Sequence, residues 1–524
     1  MNLYQQVIIK LIKSKRQNLD DFIHIKRKIS NGLKLNPPSN ATLLQAYRQL
    51  LKLKKIKASI ILEKYLTKRP VRTMSGVAVI SVLSKPYSCP GKCLYCPSEK
   101  GIPKSYLSNE PAVMRAILNA FDPWKQVSMR LKALEANGHT TDKIELIVLG
   151  GTWSVYDHQY QSWFIKRCFD ACNQFNNKKK ASTTLAKAQT KNEKAKHRII
   201  GLCLETRPDQ IDEREVIQMR KLGCTRVQLG VQAIDDQILT INKRGHDTER
   251  TVEATKLLKQ TGFKIDYHMM PNLAGSTLAK DHAMYKKLFT SPDFQPDQIK
   301  IYPTIVNKNA PLYRWWQQGK WQPYSNKQLL NLLIKLKQAT PYYVRITRLI
   351  RDIPSESISA GNKITNLRQL VQMEMRKEKL VCHCTRCREA RGQTANLRQA
   401  KLFINQYKAS DGTEYFISYE NKQRTILYAF TRLRINNDPN NFIPELKNAA
   451  LIRELHTYGK LIPLKTKSKG VQHEGFGKRL MIEAEKIAKK NKLKKIAVIS
   501  GIGVREYYQK LEYHLEGTYM VKNI

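Results

Sequence analysis

Acidic side chains are scarce in this 524-residue chain: 43 Asp and Glu stand against 92 Lys and Arg, a formal net charge of +49. That imbalance implies a polyanionic partner, for which nucleic acid is the natural candidate. A general abundance of Lys, Asn and Ile inflates the total, so the placement of the charge carries more weight. Residues 1–70 hold 16 Lys and Arg but only Asp20, Asp21 and Glu63 as acids. Apolar residues recur at roughly helical spacing through VIIKLIKSKR and LLQAYRQLLKLKK. The pattern predicts basic amphipathic helices over 1–73, with an RNA contact there as the reading preferred to a solvated face.

Long apolar runs are missing too. None approaches the ~20 residues needed to span a bilayer, and the start, MNLYQQVIIKLIKSKRQ, lacks the apolar core and cleavage site of a secretory signal. A soluble protein is expected. Cysteine is sparse at ten residues, six of them in two tight clusters. That is ligand usage and not a disulfide framework, and it points to a reducing cytoplasm. The length predicts two or three domains with full hydrophobic cores.

The first cluster, Cys89, Cys93 and Cys96 in SKPYSCPGKCLYCPSE, has the spacing C-x3-C-x2-C. Three thiolates can hold three irons of a cubane [4Fe–4S] cluster; such clusters normally take four, so the last iron stays open to a substrate. A structural zinc is the plainer alternative, but no further cysteine or histidine follows nearby to complete it. The run VAVISVL (77–83) reads as a buried strand ending just before the cysteines. The cysteines then occupy a loop at a strand's C-terminal end, where α/β barrels keep their chemistry. This pattern closely resembles that of the radical S-adenosylmethionine superfamily, in which the open iron reductively cleaves bound S-adenosylmethionine to a 5′-deoxyadenosyl radical.

Strand-like segments at 143–151, 198–209, 225–233, 263–271 and 299–305 join the first and alternate with helical stretches. Six strands in this order predict an α/β domain with a parallel sheet over 74–375. The count matches the partial (β/α)6 barrel of the radical superfamily. Residues 176–197, NNKKKASTTLAKAQTKNEKAKH, lack apolar periodicity and are expected to form an exposed insertion loop. A second cysteine cluster, Cys382, Cys384 and Cys387 in VCHCTRCRE, suits a zinc-binding linker over 376–398, with a second iron–sulfur cluster as the alternative. Its fourth ligand is open; His383 is adjacent but awkward, and His268 is a distant option. Hairpin-like strands, a Gly-rich loop and a long helix then define a separate α/β domain over 399–524.

Gly150, Gly151 and Thr152 end the second strand, where glycine lets backbone approach a ligand such as the methionine part of the cofactor. A tight turn is the bland reading. Glu205 and Arg207, in ETRPD, end the next strand and could meet the cofactor's amino and carboxylate groups, or simply pair with each other. Gln228, Gln232, Arg244 and His246 lie at barrel-mouth positions without an assigned role. In the last domain Gln472, Gly475, Phe476 and Gly477 open an amphipathic helix whose N-terminus can cradle a pyrophosphate. Their place between ALIRELHTYG and KKIAVISG resembles the acetyl-coenzyme A site of the Gcn5-related acetyltransferase (GNAT) fold. Tyr507 and Tyr508 fall where that fold places a proton-donating tyrosine, and two adjacent tyrosines cannot share one helix face.

A radical S-adenosylmethionine barrel followed by an acetyltransferase domain is a rare combination. It resembles the family of the Elongator catalytic subunit and its single-chain bacterial and archaeal members. The resemblance rests on CPGKCLYCP, DKIELIVLGGT, ETRPD, TRVQLGVQA, RGHDT, YHMMPNL, RDIP, IRELHTYG, QHEGFGKRLM and AVISGIGVREYY, among other blocks. It implies modification of the wobble uridine of transfer RNA at carbon 5. Acetyl-coenzyme A would give up a methyl hydrogen to the radical, the carbon radical would add to the uracil, and thioester hydrolysis would leave a carboxymethyl group. It also implies that Lys143 contacts the coenzyme near the barrel, and that Glu454, Leu455, His456, Thr457, Phe476, Gly477, Lys478 and Tyr508 line the coenzyme pocket. Basic N-terminal helices would grip the anticodon arm through phosphates. Two rivals remain: a protein or histone lysine acetyltransferase with a structural iron–sulfur domain, and an RNA-binding module whose acetyltransferase fold is only structural.

Overall fold

Alternation along short strands builds the first sheet. In β2 (Lys143–Leu149), Ile144, Leu146 and Val148 are buried against the helical layer, and Lys143, Glu145, Ile147 and Leu149 alternate onto the opposite face. β1 (Ala78–Leu83), β3 (Arg198–Thr206), β4 (Arg226–Gln232), β5 (Lys264–Met269) and β6 (Gln298–Ile301) repeat the rule. A computed structural model describes all residues except 15–17, 69–72, 74–75, 178–179, 391–399 and 459–474. The sheet runs in sequence order and every neighbouring pair is parallel, as a curled half-barrel requires.

All six expected strands form, and a seventh, β7 (Arg345–Arg348), pairs with β6. Its sequence, RITR, offers one aliphatic residue, so no apolar run betrays it. Helices between the strands carry explicit start signals. Asp212 caps Glu213–Leu222 through the Glu215 N–H, and Gly223 ends it in the left-handed conformation at φ 89°.

The segment 176–197 is not the exposed loop its composition suggested. Leu185–Glu193 is a helix that buries Ala188, Gln189 and Asn192. Asn173 Nδ2 donates to the Ala188 carbonyl at 2.9 Å, while Asn192 Nδ2 donates to Asn173 Oδ1 at 2.8 Å and to the His197 carbonyl at 3.0 Å. Amide hydrogen bonds and an alanine contact hold it in place, and neither leaves a hydrophobic periodicity to read.

Four N-terminal helices, Leu3–Lys13, Leu19–Gly32, Asn40–Lys52 and Ile60–Leu66, enclose a core of their own that includes Val7, Leu11, Phe22, Leu43, Tyr47 and Leu62. Arg48 ties this unit to the barrel by donating to the Glu135 carbonyl at 2.8 Å.

The C-terminal domain is a second sheet: β8 (Lys401–Lys408), β9 (Gly412–Glu420), β10 (Leu427–Asn436), β11 (Ala449–Thr457), β12 (Lys495–Val498), β13 (His514–Glu516) and β14 (Tyr519–Asn523). The spatial order is β13-β14-β12-β11-β10-β9-β8, antiparallel except for β11 with β12. The helix Phe476–Lys490 lays Phe476, Leu480, Met481, Ala484 and Ala488 across it.

Buried charge joins the two sheets. Arg453 of β11 pairs with Asp297 at 2.5 Å and with Glu414 of β9 at 2.9 Å, all three side chains being fully buried. Lys259 reaches Glu414 at 3.5 Å, and Arg432 reaches Asp297 at 3.5 Å and Glu454 at 2.9 Å. Such ions stay charged inside a protein only because each has partners on several sides. Burial pushes the Asp297 carboxyl up, but Arg453, Lys259 and Arg432 outweigh it and hold the group well below the usual carboxylate range. The interface therefore fixes one relative placement of the barrel and the C-terminal domain.

Candidate radical and coenzyme sites

The cysteine loop follows β1 and folds back over the barrel's C-terminal end. Cys89 Sγ lies 3.6 Å from Thr152 Oγ1, which brings the first cluster against the Gly150–Thr152 turn. Gly150 and Gly151 adopt φ 134° and 93°, and a Cβ on Gly150 would strike the Ser84 hydroxyl. Only glycine fits this close approach of the second strand's end to the cysteine loop.

Cys93 is surrounded by positive charge. Arg244 Nη1 stands 3.5 Å from Cys93 Sγ, and the same guanidinium donates to the Gly230 carbonyl. Burial raises the Cys93 thiol, but Arg244 and, further off, Arg207 overcome it and leave its pKa below the ordinary value. Burial and the neighbouring Cys93 push Cys96 up to about 12. The Cys93 thiolate is thus favoured beforehand, and Cys96 loses its proton only on ligation.

Glu205 and Arg207 do not pair with each other. Arg207 makes a two-pronged pair with Asp209 at 2.8 and 3.0 Å and donates to the Arg244 carbonyl at 2.8 Å. Its remaining Nη1 is buried without a hydrogen-bond partner and abuts Gly91 in the cysteine loop, where a Cβ would collide with it. Glu205 accepts from the Tyr106 hydroxyl at 3.0 Å and lies 3.8 Å from His268 Nδ1. Arg244, left without a role in the sequence, proves to be a neighbour of the cluster thiols. An arginine in RGHDT, at the end of a strand-loop unit, was its one visible signal.

The second cluster has a different geometry. Among the described residues Cys382, Cys384 and Cys387 form the one set of three ligating side chains whose donor atoms all lie within 4.8 Å of one another. A single zinc with bonds of about 2.3 Å requires its sulfurs to be that close. Cys89, Cys93 and Cys96 are not so gathered, which suits a cluster in which each thiolate binds a separate iron. Neither candidate fourth ligand joins the second set: His383 stacks on Tyr342 at 4.4 Å, and His268 sits inside the barrel, 3.1 Å from Gln228. Lys337 Nζ stands 3.4 Å from Cys387 Sγ. The Thr385 N–H donates to the Val344 carbonyl just before β7 and the Ala390 N–H to Leu427 of β10, so this segment lies between the two domains.

At the opposite end of the barrel, β11 and β12 are paired only from Ala449 with Lys495 to Ile452 with Val498. Beyond that point, among the described residues, no strand pairs with Arg453–Thr457 on the β12 side, leaving a notch of backbone donors and acceptors. Leu455 and Gly477 face each other across it: a Cβ on Gly477 would stand 4.0 Å from Leu455 Cδ2 and 2.6 Å from the Tyr507 hydroxyl. Gly475 caps the long helix at φ 77° with open space beside it, and Lys478 is exposed next to it. Gln472 lies outside the described residues.

Three of the expected coenzyme residues have side chains committed elsewhere. The Phe476 ring belongs to the core, 5.0 Å from Tyr419, so only its backbone can face a ligand. Glu454 is committed to Arg432 at 2.9 Å and Lys264 at 3.1 Å. His456 packs its ring 4.3 Å from Tyr458, and burial lowers its pKa to about 4. Of the tyrosine pair, Tyr508 is 6% exposed and Tyr507 38% exposed, the latter reaching over Gly477. Lys143 is half-buried beside Arg198, its register partner in β3; Arg198 in turn donates to Glu506, in the helix that carries both tyrosines, at 2.9 Å. Burial, more than its charged neighbours, lowers the Lys143 pKa.

A parallel half-barrel with a three-cysteine loop over its C-terminal end defines a radical S-adenosylmethionine domain. The "Radical SAM superfamily" description matches residues 84–284, and "Radical_SAM C-terminal domain" matches 296–377. The tRNA uridine(34) acetyltransferase of Methanocaldococcus jannaschii is 45% identical over 93% of this chain and 90% of its own. Human Elongator complex protein 3 is 35% identical over 98% and 96%. The solved structure of Methanocaldococcus infernus Elp3 with an N-terminal deletion (1–46) shares 43% identity and a TM-score of 0.75, covering 86% of this chain and 100% of that one. The chain belongs to the family of the tRNA uridine(34) acetyltransferases and Elongator complex protein 3. Among the described residues no helix is long and apolar enough to cross a membrane.

Proposed function

We propose that this chain modifies the wobble uridine of transfer RNA, installing a carboxymethyl group at carbon 5 with S-adenosylmethionine and acetyl-coenzyme A as co-substrates. The observation that carries this reading is the union, across one buried ionic interface, of a cationic three-cysteine loop and a β11–β12 notch. Cys89, Cys93 and Cys96 would hold the [4Fe–4S] cluster, which when bound supplies the electron for reductive cleavage of S-adenosylmethionine. Gly150, Gly151 and Thr152 bring backbone to the cofactor. The unpartnered Nη1 of Arg207 suits its carboxylate, and Glu205 its amino group.

The backbone of Glu454, Leu455, His456 and Thr457 would pair with the extended arm of the coenzyme. The N–H groups from Gly475 to Lys478 would meet its pyrophosphate, with Gln472 alongside. Tyr507 and Tyr508 are the candidate proton donors to the leaving thiolate, and Lys143 would face the acyl end. Cys382, Cys384 and Cys387 would hold a structural zinc at the domain junction, and the basic N-terminal helices would bind the anticodon arm in the cytoplasm. A lysine acetyltransferase would have no use for the paired Gly150–Gly151 approach to the cysteine loop, which favours the RNA-modifying reading.

The test is anaerobic reconstitution with iron and sulfide, then incubation with reductant, both co-substrates and transfer RNA, followed by mass spectrometry of the nucleosides. Carboxymethyluridine that vanishes when either co-substrate is omitted is the expected result. Acetyl transfer to a protein amine without S-adenosylmethionine, in a cluster-loaded preparation that leaves transfer RNA unmodified, would overturn the proposal.

A further inference from the structure

The inward face of β3 to β7 is polar along its length, where closed barrels fill theirs with branched aliphatic side chains. Strand register sets Cys203, Arg226 and Lys264 in one row, then Glu205, Gln228, Asp266, Gln298 and Arg345 in the next. His268 and Lys300 form a third. Arg226 donates to Cys203 Sγ at 3.2 Å, to Gln298 at 3.1 Å and to Glu145 at 3.0 Å. Gln228 donates to Cys203 Sγ at 3.0 Å and accepts from Lys300, and its Oε1 also lies 3.1 Å from His268 Nε2. His268 adjoins Glu205, which the Tyr106 hydroxyl connects to the loop after the cluster cysteines. At the other end Lys264 meets Glu454 of β11 at 3.1 Å. Polar groups thus lead without a break from the coenzyme notch to the radical loop.

One member of this line lacks what its position demands. Asp266 is 0% exposed, yet neither carboxylate oxygen has a hydrogen-bond partner. Lys300 and Arg226 influence it only through their charge. A buried carboxylate without a donor is costly, and in native proteins it marks the place of a missing water or ligand. Space is also kept at the domain-facing end. Gly201 pairs with Glu145 in the inward row, and a Cβ there would meet nothing nearer than 3.7 Å.

We propose that the barrel lumen is the passage through which the acyl-bearing arm of the coenzyme thioester reaches the radical loop, an amide N–H of the arm donating to Asp266. This rests on the proposed function, since it supplies the route between that reading's two sites. The charged and amide groups of the lumen suit an arm that carries two amides and a thioester carbonyl. A file of water alone is the competing occupant.

Cys203, inside the lumen, makes the route testable by chemistry. Chloroacetyl-coenzyme A should alkylate it: the sulfur displaces chloride, a thioether forms, and the thiol proton passes to buffer. Peptide mapping should find the adduct at Cys203, suppressed by excess desulfo-coenzyme A and absent in Gly201→Leu, whose side chain would fill the domain-facing end. A second arm follows deuterium from trideuterated acetyl-coenzyme A into 5′-deoxyadenosine. Gly201→Leu should lower that transfer about tenfold or more, given that a misplacement of about 1 Å costs on the order of a hundredfold. Affinity for adenosine 3′,5′-bisphosphate, which lacks the arm, and uncoupled S-adenosylmethionine cleavage should stay at the wild-type level.

Alkylation of Cys203 by chloroacetamide but not by the coenzyme reagent would overturn the passage, leaving water only. Undiminished deuterium transfer in Gly201→Leu would do the same, and it decides alone if neither reagent reaches Cys203. A wild-type protein that binds no desulfo-coenzyme A would instead refute the proposed function itself, and the passage's occupant with it.

Discussion

Arg453→Met should separate the two sheets energetically while changing little in volume. The guanidinium donates to Asp297 at 3.0 and 2.5 Å, to Glu414 at 2.9 Å and to the Phe263 carbonyl at 2.6 Å. Its removal leaves two fully buried carboxylates short of their principal partner. Asp297 keeps the Ile265 N–H at 2.9 Å, and Glu414 keeps Arg434 at 3.2 Å. Breaking a buried pair from one side costs about 3–5 kcal/mol when the survivor is left uncompensated; Asp297 keeps Arg432 and Glu414 keeps Lys259, each at 3.5 Å, so the loss should fall at the lower end of that range. That cost should appear in the first transition of urea unfolding followed by tryptophan fluorescence at pH 7.5, and proteolysis should cut between the domains.

The pH dependence has a definite sign. In the wild type both carboxyls are held below their unfolded values, so their contribution is complete above about pH 4.5 and fades as the pH falls. In the variant burial is less opposed, and protonation relieves the charge. The stability gap should therefore be widest near neutrality and narrow toward pH 5. Adding Glu414→Gln should recover part of the loss. A single-variant loss below about 1 kcal/mol, the range of exposed pairs, would refute the view that this network fixes the interface.

Two further outcomes follow from the same geometry. Cys387→Ser should lower bound zinc by one equivalent in elemental analysis and leave cluster iron unchanged; zinc retained at full stoichiometry would remove the metal from that junction. Glu454 is pushed up by burial, yet Lys264 and Arg432 bring it from 4.5 down to about 2. Its stabilisation, about 3 kcal/mol by the linkage between pKa and folding, is present above pH 4.5 and lost on acidification toward pH 2. Lys264→Met should flatten that acid limb, and an unchanged slope would show that Lys264 does not act on Glu454.

The sequence by itself determined most of the strands and the family. Strands β1 to β6 were legible because their outward positions are aliphatic at a period of two, and the C-x3-C-x2-C spacing is a local ligand pattern that needs no tertiary knowledge. Short, polar or amide-anchored pieces left no such trace. RITR carries one aliphatic side chain, and the helix Leu185–Glu193 is held by Asn173 and Asn192. Tertiary structure alone decided partnership. Glu205 and Arg207 share a motif but turn to Tyr106 and Asp209. Arg244 is more than a hundred residues from Cys93 and stands beside it. Phe476, inside a glycine motif, is a core ring. Electrostatic contacts are set by the distance between groups folded together, and a one-dimensional pattern encodes periodicity but not distance. The polar lumen combines both: its alternating residues are written strand by strand, and only the closing of the strands around one axis makes them face each other.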